Sequence, residues 1–134
     1  MPLARGSFEV TSWDEQPYEE LEGGGKLTRA AVTQRFEGDI EGEGAVQWLM
    51  AYRPDGTARY VGLQRITATI GGRSGSVVLE TVGEYDGEEA RSTWSVVPGS
   101  GTGGLEGLRG SGSGRAPHGS RSSFELDYAF GEPA

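Results

Sequence analysis

From residue 7 to residue 130 the chain falls into short runs in which apolar and polar residues alternate, separated by glycine, proline and aspartate. A period of two sends successive side chains to opposite faces of a strand. The alternation predicts strands over residues 7–13, 26–37, 45–53, 57–70, 76–85, 90–97, 105–110 and 122–130. Residues 14–22, acidic and holding Pro17, read as a loop or a single helical turn. The triplet Pro54, Asp55, Gly56 is the firmest hairpin signal: proline pre-sets φ at the first turn position and glycine supplies the positive φ that follows. Asp86 and Gly87 form a second turn of the same kind. Consecutive hairpins make an antiparallel meander. No run has a helical period long enough to cover a sheet face, so the sheet must bury its apolar face against itself. Closure also removes exposed edges. The expectation is an all-β fold, a closed eight-stranded antiparallel up-and-down barrel, ahead of a sandwich. One β-barrel domain spans residues 1–134, with a glycine- and serine-rich low-complexity loop over residues 110–123.

One face of the predicted strands is rich in rings. Trp48, Tyr52, Tyr60, Tyr85, Trp94 and Tyr128 share parity within their strands, together with Gln34 and Gln64. An eight-stranded barrel interior is either filled by side chains or holds one small ligand. Rings with a few amides and hydroxyls fit a pocket with sparse polar anchors. They equally fit a packed core whose indole nitrogens are satisfied locally. The opposite face carries Glu9, Thr11, Trp13, Arg35, Glu37, Arg59 and other charged residues, a solvated face with cross-strand ion pairs. Leu49, Val61, Leu63, Val78 and Val82 lie on that same face and suggest a subunit contact, most simply a two-fold homodimer.

Composition narrows the chemistry. Glycine occurs 24 times in 134 residues, an excess assigned to turns, bulges and close strand approaches. With 20 acidic residues against 12 basic ones the net charge is −8, which argues against a nucleic-acid partner and against an anionic membrane surface. No apolar run is long enough for a transmembrane helix. Residues 1–6 lack the apolar core of a signal peptide, so a cytoplasmic protein is expected. There is no cysteine, no asparagine and a single histidine, His118. Thiolate chemistry and a histidine-built metal site are thereby excluded, and no metal or cofactor is expected. His118 lies in a stretch that reads as loop. The run Pro98, Gly99, Ser100, Gly101, Thr102, Gly103, Gly104 lacks the lysine and hydroxyl that close a phosphate-binding loop, and reads as a wide turn.

Four segments carry a resemblance. They are residues 7–15 (SFEVTSWDE), 36–42 (FEGDIEG), 71–76 (GGRSGS) and 97–103 (VPGSGTG). On these the chain resembles, nearly end to end, a bacterial family of small barrels designated domain of unknown function 3224, whose fold is that of the plant allene oxide cyclases. The stretch from Gly101 to Gly110 also looks like the glycine-threonine-glycine strand shared by those cyclases and the dirigent proteins. The family brings a fold and no established activity. In the cyclases the first strand carries an aromatic-glutamate pair, a polar residue two positions on and a proline soon after. Phe8, Glu9, Thr11 and Pro17 sit similarly here. The resemblance therefore implies that Glu9 is inside the barrel, where desolvation would raise its pKa and suit it to proton transfer. In the cyclases that glutamate adjoins a water held by asparagines, which this chain lacks. Alternation instead puts Phe8 and Val10 inside. A bulge in the first strand would reconcile the two.

The leading expectation is a cofactor-free barrel binding a hydrophobic small molecule, with Thr11, Gln34, Trp48, Tyr52, Tyr60, Gln64, Tyr85, Trp94 and Tyr128 lining the lumen. The alternative is a cofactor-independent cyclase or isomerase of an epoxide or polyene, with Glu9 catalytic. A second alternative is a filled oligomeric scaffold without a ligand.

Overall fold

Eight strands hydrogen-bond in sequence order and the last returns to the first, closing an antiparallel barrel. The structure, a computed structural model, describes residues 2–117 and 122–131; His118 lies outside the described residues. The strands are β1 (Leu3–Glu20), β2 (Lys26–Gly38), β3 (Ile40–Tyr52), β4 (Ala58–Ile70), β5 (Arg73–Tyr85), β6 (Glu89–Val96), β7 (Leu108–Pro117) and β8 (Ser122–Phe130). The only helical piece among the described residues is a 3-10 turn, Gly103–Leu105, between β6 and β7.

Two elements depart from the expectation. Residues 14–20 continue β1 instead of looping, because two register shifts let the strand follow β2 to its start: one between Val10 and Ser12, the other between Pro17 and Glu19. Each shift inserts one unpaired residue, Thr11 and Tyr18. The low-complexity stretch is strand as far as Pro117, paired with both β6 and β8; of the strand expected over residues 105–110, Leu105 belongs to the 3-10 turn and β7 begins at Leu108. Serine and glycine are poor strand formers alone. Here β7 lies opposite Trp94 and Phe124, and Gly114 leaves no room for a Cβ beneath the Trp94 ring.

The barrel is filled across its width at one end, while at the other a smaller buried cluster of Ala30, Val32, Val46, Met50 and Tyr60 belongs to the wall. At the end carrying the β2–β3 and β4–β5 turns, Ile40, Ile66, Ile70, Leu79, Leu108 and Leu126 form a buried aliphatic core. Leu105, fully buried, is pressed into it by the 3-10 turn. The glycine run before it is part of this closure. Thr102 accepts from the Ser76 backbone through its hydroxyl at 3.1 Å, and its own N–H donates to the Ser76 carbonyl at 2.8 Å. Gly75 has no room for a Cβ where the Thr102 carbonyl crosses it. Above the aliphatic layer four rings span the lumen. Phe36 meets Phe8, Trp94 and Phe124 with centroids 5.8–6.1 Å apart, and Trp94 stacks on Phe124 at 5.8 Å. These rings are a floor. Beyond them, toward the β3–β4 and β5–β6 turns, the interior is open.

Candidate functional site

The open half of the lumen is a cavity of about 380 Å³. Its shape follows from how the strands present their rings. Trp48 of β3 lies over Gly62 of β4, Tyr60 of β4 over Gly83 of β5, and Trp94 of β6 over Gly114 of β7. A Cβ at any of the three glycines would collide with the ring. Trp48 and Tyr60 are therefore held against the neighbouring strand, while Trp94 reaches across as part of the floor. These three glycines are the close strand approaches expected beside the turn glycines.

Of the nine residues expected to line the lumen, seven do: Gln34, Trp48, Tyr52, Tyr60, Gln64, Tyr85 and Trp94. Two do not. Thr11 is the bulge residue of β1; it is exposed, and its hydroxyl meets Thr33 at 2.7 Å. Tyr128 has the inward parity but stands at the closed end, buried with the aliphatic core and beside Gly71. Parity assigns a face, not a height along the barrel.

Glu9 is exposed and opposite Arg35, on the outer face. The inward position implied by the resemblance is therefore corrected: Glu9 lies in the regular part of β1, between Phe8 and Val10, ahead of the bulge. Phe8 and Val10 face in before it; the extra residue at Thr11 flips the alternation, and Trp13 and Glu15 face in after it. Trp13 closes part of the mouth, its ring set edge-on against Trp48 with centroids 5.6 Å apart. Sequence reasoning missed Trp13, read as solvated face, Glu15, read as loop, and Gly114, Arg115 and Ala116, read as part of the low-complexity loop. For the first two, the polar pair Thr11–Ser12 between two apolar residues was the available signal, since it breaks a period of two by one residue.

Polar groups in the cavity are few and mostly spent. Gln64 Nε2 donates to Gln34 Oε1 at 2.7 Å, and both residues are 4% exposed. Trp94 Nε1 donates to Ser92 Oγ at 2.9 Å, and Ser92 also bonds the Tyr60 hydroxyl. At the mouth Glu15 accepts from Thr28 Oγ1 at 2.6 Å and from Trp13 Nε1 at 3.1 Å, and it bonds Tyr52. The Trp48 indole N–H is buried without a partner among the described residues.

Burial pushes Tyr60 up to about 12, and burial together with the Glu15 carboxylate pushes Tyr52 up to about 12. Both phenols stay protonated at neutral pH, so they serve as hydrogen-bonding groups and not as bases. On the rim, Arg115 grips Glu89 bidentately at 2.7 and 2.9 Å, and Arg91 adds a bond at 3.2 Å. The two guanidiniums, Arg115 foremost, hold the Glu89 carboxyl down to about 2. A positive group at the mouth is thus already matched by a negative one. Among the described residues no cluster of three or more histidine, cysteine or acidic side chains could hold a metal ion. No helix of the described residues is long and apolar enough to cross a membrane.

Comparison with known proteins adds the family. No curated protein matches the chain. A crystal structure of a protein of unknown function from Shewanella oneidensis MR-1, a DUF3224 family member, is similar over 100% of this chain and 99% of its own. The two are 32% identical, with a TM-score of 0.83. The family profile described as "Protein of unknown function (DUF3224)" matches residues 4–128. From the start of β1 into the last residues of β8, then, this chain belongs to the DUF3224 family.

Proposed function

We propose that this protein binds a small apolar, ring-bearing molecule in the open half of its barrel. One observation carries the reading: the lumen is packed up to the four-ring floor and open above it. Side chains able to fill the upper half are instead laid flat over glycines. A cavity of about 380 Å³ falls within the range of ligand sites, roughly 300–1,000 Å³. Its aromatic walls suit a ligand that stacks. A filled scaffold would spend its rings on packing across the lumen.

The cyclase reading has lost its residue, since Glu9 faces outward. The carboxylate that does reach the mouth, Glu15, is committed to Thr28, Trp13 and Tyr52. Binding without turnover is the function the site supports best.

The test is a titration with N-phenyl-1-naphthylamine, a neutral fluorescent probe. Saturable binding at one probe per chain, with quenching of tryptophan emission, supports the proposal. Trp48→Ala and Tyr60→Ala should each weaken it several-fold, while Glu9→Gln should leave it unchanged. Binding indifferent to both lumen variants would refute it.

The proposal extends to self-association. Leu49, Val61 and Val82 form one rung across β3, β4 and β5, and Leu63 lies beside it; Leu49, Val61 and Leu63 are 44–56% exposed. Arg29 and Glu80 flank this patch on opposite sides, next to Leu49 and Leu63 respectively. A two-fold axis through the patch would bring unlike charges together.

A further inference from the structure

We propose that the bound molecule carries a neutral carboxamide-type edge, an N–H beside a C=O, and that Gln34 and Gln64 read it. The proposal rests on the lumen being a ligand site and adds the chemical class of the ligand.

The two amides form a built pair. Gln34 is on β2 and Gln64 on β4, with β3 between them. They meet because the intervening residue is Gly44, directly opposite Gln34; a Cβ there would press on Gln64 Cδ at 3.1 Å. Both side chains are buried and both adjoin the cavity. Their mutual bond uses one N–H and one carbonyl. The Gln34 amino group and the Gln64 carbonyl have no other partner among the described residues. Turning both amides over exchanges the roles and leaves the same unspent donor and acceptor. Two residues further along β2, Phe36 begins the floor, so the pair stands at the deep end of the cavity.

An unspent donor beside an unspent acceptor matches a group that offers the reverse. A carboxamide or lactam edge does so, accepting from one glutamine and donating to the other. A carboxylate at this depth would lose its hydration with no free cation beside it, because Arg115 at the rim is bound to Glu89. A plain hydrocarbon would leave both amides unanswered. Sites built to hydrogen-bond discriminate strongly against analogues that lack the group.

The experiment displaces N-phenyl-1-naphthylamine from the wild-type protein at neutral pH with four ring-matched competitors: naphthalene, 2-acetylnaphthalene, 2-naphthamide and 2-naphthoate. The expected order has 2-naphthamide tightest, about tenfold or more ahead of naphthalene and 2-naphthoate, with the acceptor-only ketone between. The double variant Gln34→Leu/Gln64→Leu, folded by circular dichroism and still binding the fluorescent probe, should bind the amide no better than naphthalene. Wild-type protein binding naphthalene or 2-naphthoate as tightly as the amide overturns the proposal while leaving a lumen binder intact. So does a folded double variant that keeps the amide preference. Absence of probe binding in the lumen removes the ligand site itself, and this inference with it. If the double variant does not fold, the wild-type order alone decides.

Discussion

Gly62 on β4 lies directly under the indole of Trp48 on β3, so close that a single methyl group at position 62 would occupy the space of the ring. The same relationship links Tyr60 to Gly83 and Trp94 to Gly114. Aromatic side chains laid over glycines on the next strand restore contact where glycine has none to offer. For Trp48 and Tyr60 the arrangement has a further effect, which is to keep these rings against the wall and the upper lumen clear.

Gly62→Ala should therefore act on both stability and binding. The added methyl displaces the Trp48 ring, at about 1–3 kcal/mol, the usual range for overpacking. The displaced indole swings toward the cavity and weakens probe binding. Thermal denaturation and a probe titration on the same sample check the pair of effects.

Acid and alkali test different parts of the site. Glu89 is held at about 2, below its ordinary 4.5, so its contribution to stability is present above the unfolded value and is lost as pH falls from about 4.5 toward 2. Melting temperatures across that window should drop more steeply for the wild type than for Glu89→Gln. Tyr52 and Tyr60 shift the other way. Their contribution is present below about 10 and is lost as pH rises from there through about 12. Ultraviolet titration should show Tyr52 and Tyr60 as late phenols, the second lost in Tyr60→Phe.

The first strand shows what was legible in the sequence and what was not. Alternation correctly placed Gln34, Trp48, Tyr52, Tyr60, Gln64, Tyr85 and Trp94 around one lumen, because regular hairpins carry a face unbroken along each strand. It failed after Val10, where one extra residue exchanges the two faces, and so missed Trp13 and Glu15. It misjudged Tyr128, since a shared face does not separate the packed end from the open one. It also misplaced β7, taking residues 105–110 for the strand and most of Leu108–Pro117 for loop, since its serines and glycines have no hydrophobic pattern; Gly114 there lies beneath the Trp94 ring of β6. Deleting Thr11 should remove the bulge and leave plain alternation from Val10 through Ser12 to Trp13, with Trp13 still facing the lumen. Probe affinity should be retained in this variant and should fall in Trp13→Ala. Fluorescence titration of the two variants makes the comparison.

The outer patch gives an independent prediction. Leu63→Glu places a charge in the proposed two-fold contact and should convert a dimer to monomer in sedimentation equilibrium, with the barrel's circular dichroism unchanged. Wild-type protein that sediments as a monomer at micromolar concentration would contradict the proposed contact.

The most direct measurement of the central claim is a crystal structure of the wild-type protein grown with N-phenyl-1-naphthylamine. The account predicts electron density for one probe above the ring floor of Phe8, Phe36, Trp94 and Phe124, between Trp13, Trp48 and Tyr60. Side chains repacked to fill that space, or a probe bound only on the outer face, would contradict it.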